Sequence, residues 1–188
     1  MSKRIALLSA VAFSAFAFSI AIVAPASAQD KMKSGEKTVM VGGAAMFPSK
    51  NIVQNAVNSK DHTTLVAAVK AAGLVDTLEG KGPFTVFAPT NAAFGKLPAG
   101  TVDNLVKPEN KATLTKILTY HVVPGRLEAS DLTDGKKLKT VEGEDLTVKR
   151  SGDAVMIIDA KGDSSSVTIP NVNQSNGVIH VVDTVLMP

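Results

Sequence analysis

The segment Gly82-Pro83-Phe84-Thr85-Val86-Phe87-Ala88-Pro89-Thr90-Asn91-Ala92-Ala93-Phe94 constrains this chain more than any other. Phe84, Val86 and Ala88 alternate with Thr85 and Phe87, the two-residue period of a strand, between the breaks at Gly82-Pro83 and Pro89. Beyond Pro89, Thr90 or Asn91 can accept a hydrogen bond from the free N–H groups that open a helical turn. The chain is therefore predicted to pass abruptly from a buried strand into a helix. Such a junction either displays a catalytic side chain or pins two layers of a fold together. Phe84, Phe87 and Phe94 supply the apolar anchors that the second use needs.

The beginning of the chain reads as an export leader. Lys3-Arg4 is a positive start, an apolar run follows from Ile5 to Ala24, and Ala26-Ser27-Ala28 has the small residues of a cleavage site. Ser9, Ser14 and Ser19 dilute the run, which favours cleavage after Ala28 over a retained membrane anchor. Lys3 and Arg4 carry the only charges of that leader, so removing 1–28 lowers the formal net charge from +3 to +1. With that balance and no basic block interleaved with aromatics, nucleic acid is not expected as a partner. An exported chain without cysteine has neither disulfides nor a lipid-bearing thiol, so one domain of ordinary size must hold itself together by core packing. The expected organisation is a signal peptide over 1–28, a flexible lead-in over 29–46 whose Val39-Met40-Val41 patch can dock, and a domain over 47–188.

Helical spacing dominates the first half of that domain. Ile52, Val53, Ala56 and Val57 form one short face; Leu65, Ala68, Val69 and Ala72 form another, with Asp61 as the expected cap and Gly73 as the stop. Leu114, Ile117, Leu118 and His121 fall at i, i+3, i+4 and i+7, which predicts a helix over 110–123 ended by Pro124-Gly125. From Leu138 onward the period becomes two, over 138–141, 146–149, 155–158, 167–169 and 178–187, with Ser151-Gly152-Asp153 and Asn176-Gly177 as turns. Helices early and strands late, without βαβ alternation, predict an α+β domain with a mainly antiparallel sheet.

The candidate chemistry is sparse. His121 lies on an apolar stripe beside Tyr120, where the pair reads either as an acid/base couple or as a core histidine bonded to polar groups; the second is favoured because no carboxylate accompanies it on the helix. His180 shares a strand face with Val178, Val182 and Leu186, whereas Asp183 falls on the face of Ile179, Val181 and Val185, so the two form no dyad within the strand. Asp183 is expected to accept backbone hydrogen bonds and fix a strand end. His62, His121 and His180 are too scattered for a metal site, and Asp131, Asp134, Glu142, Glu144 and Asp145 lack the alternation of a calcium loop. Thr90 suits a helix cap better than a nucleophile, and there is no Gly-x-Ser-x-Gly or phosphate-binding glycine loop. Asn173-Gln174-Ser175 has the form of a glycosylation acceptor, a short match read as accidental. Neither a catalytic group nor a cofactor is expected.

Three stretches stand out together: Gly82 to Phe94, Tyr120-His121 followed by Val-Val-Pro-Gly, and Asn176-Gly177-Val178-Ile179-His180-Val181-Val182-Asp183 running on to Leu186-Met187-Pro188. In this order they resemble the two signature segments and the central Tyr-His of the fasciclin domain, over roughly 47–188. The chain looks like the single-domain secreted bacterial form. The resemblance implies a compact, wedge-shaped domain in which a β-sandwich is flanked by several helices. It also implies a non-catalytic role in cell-surface, matrix or host-surface adhesion, outside the cytoplasm in the periplasm or the medium, with a protein or glycan partner. In this family the Tyr-His pair looks like a packing feature. Because some algal and cyanobacterial members bind carotenoids, the alternative is a carrier of a small lipophilic ligand. The four phenylalanines beyond the leader, Phe47, Phe84, Phe87 and Phe94, leave few aromatics to line a groove for one.

Overall fold

The computed structural model describes residues 37–188; the leader expected over 1–28 and the first part of the lead-in lie outside the described residues. In chain order the elements are β1 (Val39–Val41), β2 (Ala44–Met46), α1 (Ile52–Ala56), α2 (Thr63–Ala72), α3 (Val75–Glu79), β3 (Phe84–Pro89), α4 (Asn91–Gly95), α5 (Thr101–Leu105) and α6 (Lys111–Tyr120). The strands β4 (Val122–Pro124), β5 (Lys137–Lys139), β6 (Asp145–Ser151), β7 (Ala154–Ile158), β8 (Ser164–Gln174) and β9 (Gly177–Val182) complete the set. This is an α+β fold in which every helix of the set precedes β4 and the strands β4 to β9 follow.

Seven strands form one sheet in the order β4-β3-β9-β8-β7-β6-β5. Every pair is antiparallel except β3 with β9, which run parallel with Phe84 opposite Gly177 and Pro89 opposite Val182. The sheet curls until its ends meet: the Val141 N–H, just beyond β5, donates to the Val122 carbonyl of β4 at 2.8 Å. Two cores result. Phe87, Tyr120, Leu146, Ile157, Val182 and Leu186 fill the inside of the curl. Val86, Ala88, Ile179 and Val181 face the opposite way, against Leu65, Val69, Leu114 and Ile117 of the helices. The alternation along β3 thus sends one set of side chains into each core.

The parallel pair begins at an unusually close backbone approach. Gly82 has φ +59°, and a Cβ on it would lie 2.1 Å from the Asn176 carbonyl oxygen; a Cβ on Gly177 would lie 2.0 Å from the Phe84 carbonyl oxygen. Between them the Phe84 N–H donates to the Asn176 carbonyl at 3.0 Å. Only glycine fits either place.

Several boundaries differ from those the sequence predicts. The lead-in carries the hairpin β1–β2, whose Val41 and Met46 are buried in the helix-side core, so the packed unit starts ahead of residue 47. Helix α2 starts at Thr63 rather than after Asp61, which sits in a 3-10 turn, and its free Thr64 N–H is taken by the Asn91 side chain at 3.0 Å. Helix α6 stops at Tyr120, because Val122 and Val123 pair with Val86 and Thr85 of β3. Strand β8 runs through Pro170 by slipping register on both sides of Ile169, with Asn171 at φ +56°. Strand β9 ends at Val182, short of the predicted Met187.

Gly82→Ala and Gly177→Ala should each destabilise the fold by about 3 kcal/mol or more, since backbone rather than a movable side chain blocks the added methyl. Urea unfolding measures it, with Gly95→Ala, which has open space around it and no left-handed backbone, as the comparison.

Candidate functional site

The residues singled out in the sequence converge on the strand–helix junction and the last strand, and most are held by internal hydrogen bonds. At the junction Thr90 has extended backbone (φ −75°, ψ 166°), and its hydroxyl accepts from the Ala93 N–H at 3.2 Å, the geometry of an N-cap. The Thr90 N–H in turn donates to the Val182 carbonyl at 3.3 Å, tying the junction to the end of β9. Phe94, one turn into α4, is buried on the helix side, and Phe84 is partly buried against the same core.

Tyr120 and His121 part company. Tyr120 is fully buried inside the curled sheet, where its hydroxyl accepts from the Ala160 N–H at 2.9 Å. His121 caps the end of α6 and turns toward the helix-side core. Its Nδ1 lies 2.8 Å from the Ile117 carbonyl, and its Nε2 accepts from the Leu186 N–H at 3.0 Å. Because a carbonyl can only accept, Nδ1 carries the proton, and Nε2 must stay bare to receive Leu186. Burial pushes the His121 pKa down to about 4, against a partial counter-pull from the Ile117 carbonyl and Asp159.

His180 is fully buried and stacked on Phe87, with ring centroids 5.7 Å apart. Its Nε2 donates to the Leu127 carbonyl at 2.8 Å and its Nδ1 faces the Asn171 N–H at 3.4 Å. Burial lowers its pKa too, opposed by the Leu127 carbonyl and Glu128. Asp183 lies at the surface: its Oδ1 accepts from the Ser166 N–H at 2.9 Å and the Thr184 hydroxyl at 3.1 Å, and Lys96 is 3.5 Å from Oδ2. Burial alone would raise its pKa; those donors and the lysine charge outweigh it and hold the carboxyl below its usual value. No histidine is among its partners.

Four further polar residues, whose partners the sequence did not reveal, share this work. The Asn176 amide accepts from the Ile52 N–H at 3.1 Å and donates to the Leu78 and Gly80 carbonyls at 2.7 and 2.9 Å, joining α1, α3 and the start of β9. Buried Asp159 accepts from the N–H groups of Lys161, Asp163 and Met187, closing its own turn and pinning the C-terminal residues. Asn91 caps α2, as above. His62, buried at the start of α2, has Nδ1 2.9 Å from the Ser59 hydroxyl. Asn-Gly at 176–177 signalled a turn, but nothing local revealed its distant partners.

Among the described residues there is no cluster of three or more metal-ligating side chains, and no helix is long and apolar enough to cross a membrane. Thr90, His121 and His180 are each held by hydrogen bonds within the fold.

Two outcomes follow from this geometry. Thr90→Ala removes one cap and should lower stability by about 1 kcal/mol in urea unfolding. Neutral His121 is favoured by folding, so its contribution is complete above pH 6.5 and lost as the pH falls toward about 4, a loss of about 3 kcal/mol. His121→Asn should therefore be less stable than the parent at pH 7 but show a shallower loss between pH 6.5 and 4.5.

A fasciclin-domain family model matches residues 60–188. Protein sll1483 of Synechocystis is 46% identical over 178 residues, 95% of each chain. The immunogenic protein MPB70 of Mycobacterium bovis is 35% identical over 186 residues, covering 92% of this chain and 90% of that one. The cell surface glycolipoprotein MPB83 of the same species is 40% identical over 153 residues, covering 79% of this chain and 64% of that one. The fold is similar to that of a domain pair from the insect cell adhesion molecule fasciclin I, with a TM-score of 0.67 at 20% identity over 76% of this chain and about half (52%) of that chain. With its two signature strands paired side by side and its Tyr-His at the end of α6, this chain belongs to the fasciclin domain family.

Proposed function

We propose that the chain is an exported, non-catalytic interaction module that contacts a protein or glycan of a cell surface or extracellular matrix. The observation that carries this reading is that Thr90, Tyr120, His121, His180 and Asp183 are all engaged in internal hydrogen bonds, which leaves the outer surface to do the work. Adhesion or surface placement named for two of the similar proteins supports it.

The outer face of β5, β6 and β7 is the surface best suited to contact. The register aligns Lys137 with Thr147 and Ile158 across three strands, and Lys149 with Met156 and Ser166 beside them. The lysines are exposed, and Met156 and Ile158 are half-exposed rather than covered by a helix. A face with an apolar floor and a basic rim offers both desolvated contact and attraction to an acidic partner.

Lys137→Glu/Lys149→Glu should weaken binding to native envelope or matrix material about tenfold, with parental binding that falls as salt rises, while stability stays within about 0.5 kcal/mol. Pull-down at 50 and 300 mM salt reads it. Unchanged binding by this variant removes the face from the proposal.

A further inference from the structure

Between α1, α2 and α3 on one side and strands β3 and β9 on the other lies an internal cavity of about 60 Å³. Val86, Ala88, Ile179 and Val181 form its floor, and Ile52 and Leu65 stand among its walls. On the solvent side it is bordered by Val53, Val66 and Val75, which are only partly buried, so its mouth lies between the three helices.

Two histidines line it. Both ring nitrogens of His121 are already bonded. His62 is different: only 3% exposed, it uses Nδ1 toward Ser59, and its Nε2 has no hydrogen-bond partner. Among the described residues this is the one buried side-chain nitrogen or oxygen in that condition. Burial is the larger effect on the ring and lowers the His62 pKa, against the Ala88 backbone carbonyl and the Asp61 charge. That carbonyl lies close enough to favour the protonated ring as a weak hydrogen-bond acceptor, but it makes no bond of normal geometry to Nε2.

A buried water needs roughly 2–4 polar partners. Here Nε2 and the Ala88 carbonyl beside it stand in a mainly aliphatic lining, so a water would find at most two partners and leave the rest of the cavity unfilled. A molecule that brings one polar group and an alkyl body matches both. Size narrows it further: an apolar hole of roughly 150 Å³ takes a benzene ring, so about 60 Å³ takes a polar head and its first few carbons, with the rest of a chain leading out between the helices. That favours a short flexible chain over a long rigid polyene. The Ser59 hydroxyl can donate to Nδ1 or accept from it, which leaves Nε2 as donor or acceptor; a hydroxyl group serves either case.

We propose that this cavity is a binding site for a short-chain aliphatic alcohol, its hydroxyl bonded to His62 Nε2 and its chain lying over Val86, Ile179 and Leu65 toward the mouth at Val66. The site is separate from the β5–β7 face, so either can fail without the other.

Methyl NMR titration of the protein recovered from an exporting host, with 1-hexanol, hexane and hexanoate as probes, tests it. Expected are saturable shifts at the methyls of Leu65, Val86 and Ile179 but not of Ile157 in the other core. Hexanol should bind about tenfold tighter than hexane, the ratio expected for pairing one orphaned buried group. Hexanoate should not bind, because its charge would be buried unpaired. His62→Leu should bring hexanol and hexane within about twofold of each other, and Val66→Trp should block both. Should His62→Leu not fold, His62→Gln serves, keeping a polar partner and with it a preference for the alcohol. Shifts spread evenly over both cores, equal affinity for alcohol and alkane, or full hexanol binding by Val66→Trp each overturn the proposal. Lys137→Glu/Lys149→Glu should bind hexanol as the parent does, which separates failure of this site from failure of the surface.

Discussion

Two polypeptide backbones touch where β3 and β9 begin, and the rest of the domain is arranged around that contact. Glycines at 82 and 177 let the Phe84 N–H reach the Asn176 carbonyl, and from that point six residue pairs run in parallel register to Pro89 and Val182. The two strands belong to chain segments separated by most of the domain, so their pairing closes a long loop and depends on dense local bonding to offset the entropy lost. Asn176 supplies part of it by tying α1 and α3 to the same point. Every side chain of the strand pair then faces one of two cores, and this explains why β9 is buried along its whole length.

Polar groups inside such a double core must be satisfied by neighbours in the fold. His121 receives the Leu186 N–H, Asp159 receives the Met187 N–H, and Ser165 receives the Thr184 N–H, so three buried side chains, at the end of α6, just after β7 and in β8, hold the C-terminal residues. Leu186 itself fills the inside of the curled sheet. The histidine of the Tyr-His pair therefore does through its ring what a strand would do through its backbone: it provides an acceptor for chain that has left the sheet. This role requires the neutral ring, and burial enforces it.

The sequence made the junction at 82–94 and the helices-then-strands order legible because period and turn chemistry are local properties. Thr90 as a cap could be read for the same reason. The limits were non-local. Nothing between Leu114 and Pro124 breaks a helical pattern, and α6 ends at Tyr120 because the His121 carbonyl is claimed by the Phe87 N–H of a strand laid down earlier. Asp61 had the right chemistry to cap α2, but Asn91, 27 residues away, reaches the free Thr64 N–H. The alternation beyond Val182 read as more strand, whereas Asp183 turns back to Ser166 and stops the pairing. The candidate residues could not be sorted into two cores from the sequence. His62 was weighed only as a metal ligand.

His62 is the residue that a purely structural account leaves over. Asn55 is paired with Gln174 and Phe47, Thr85 with Gly125 and Leu127, and His180 with Leu127. An unsatisfied buried donor or acceptor costs roughly 1–3 kcal/mol, comparable to a sizeable share of a domain's stability. A leucine there would remove the orphaned nitrogen and extend the aliphatic wall, but would take from the buried Ser59 hydroxyl its bond to Nδ1. A module that worked through its outer face alone would have no use for the nitrogen. Its position against a cavity that opens between three helices gives the orphan a use that the hydrogen-bonded histidines cannot have, since both ring nitrogens of each are already engaged.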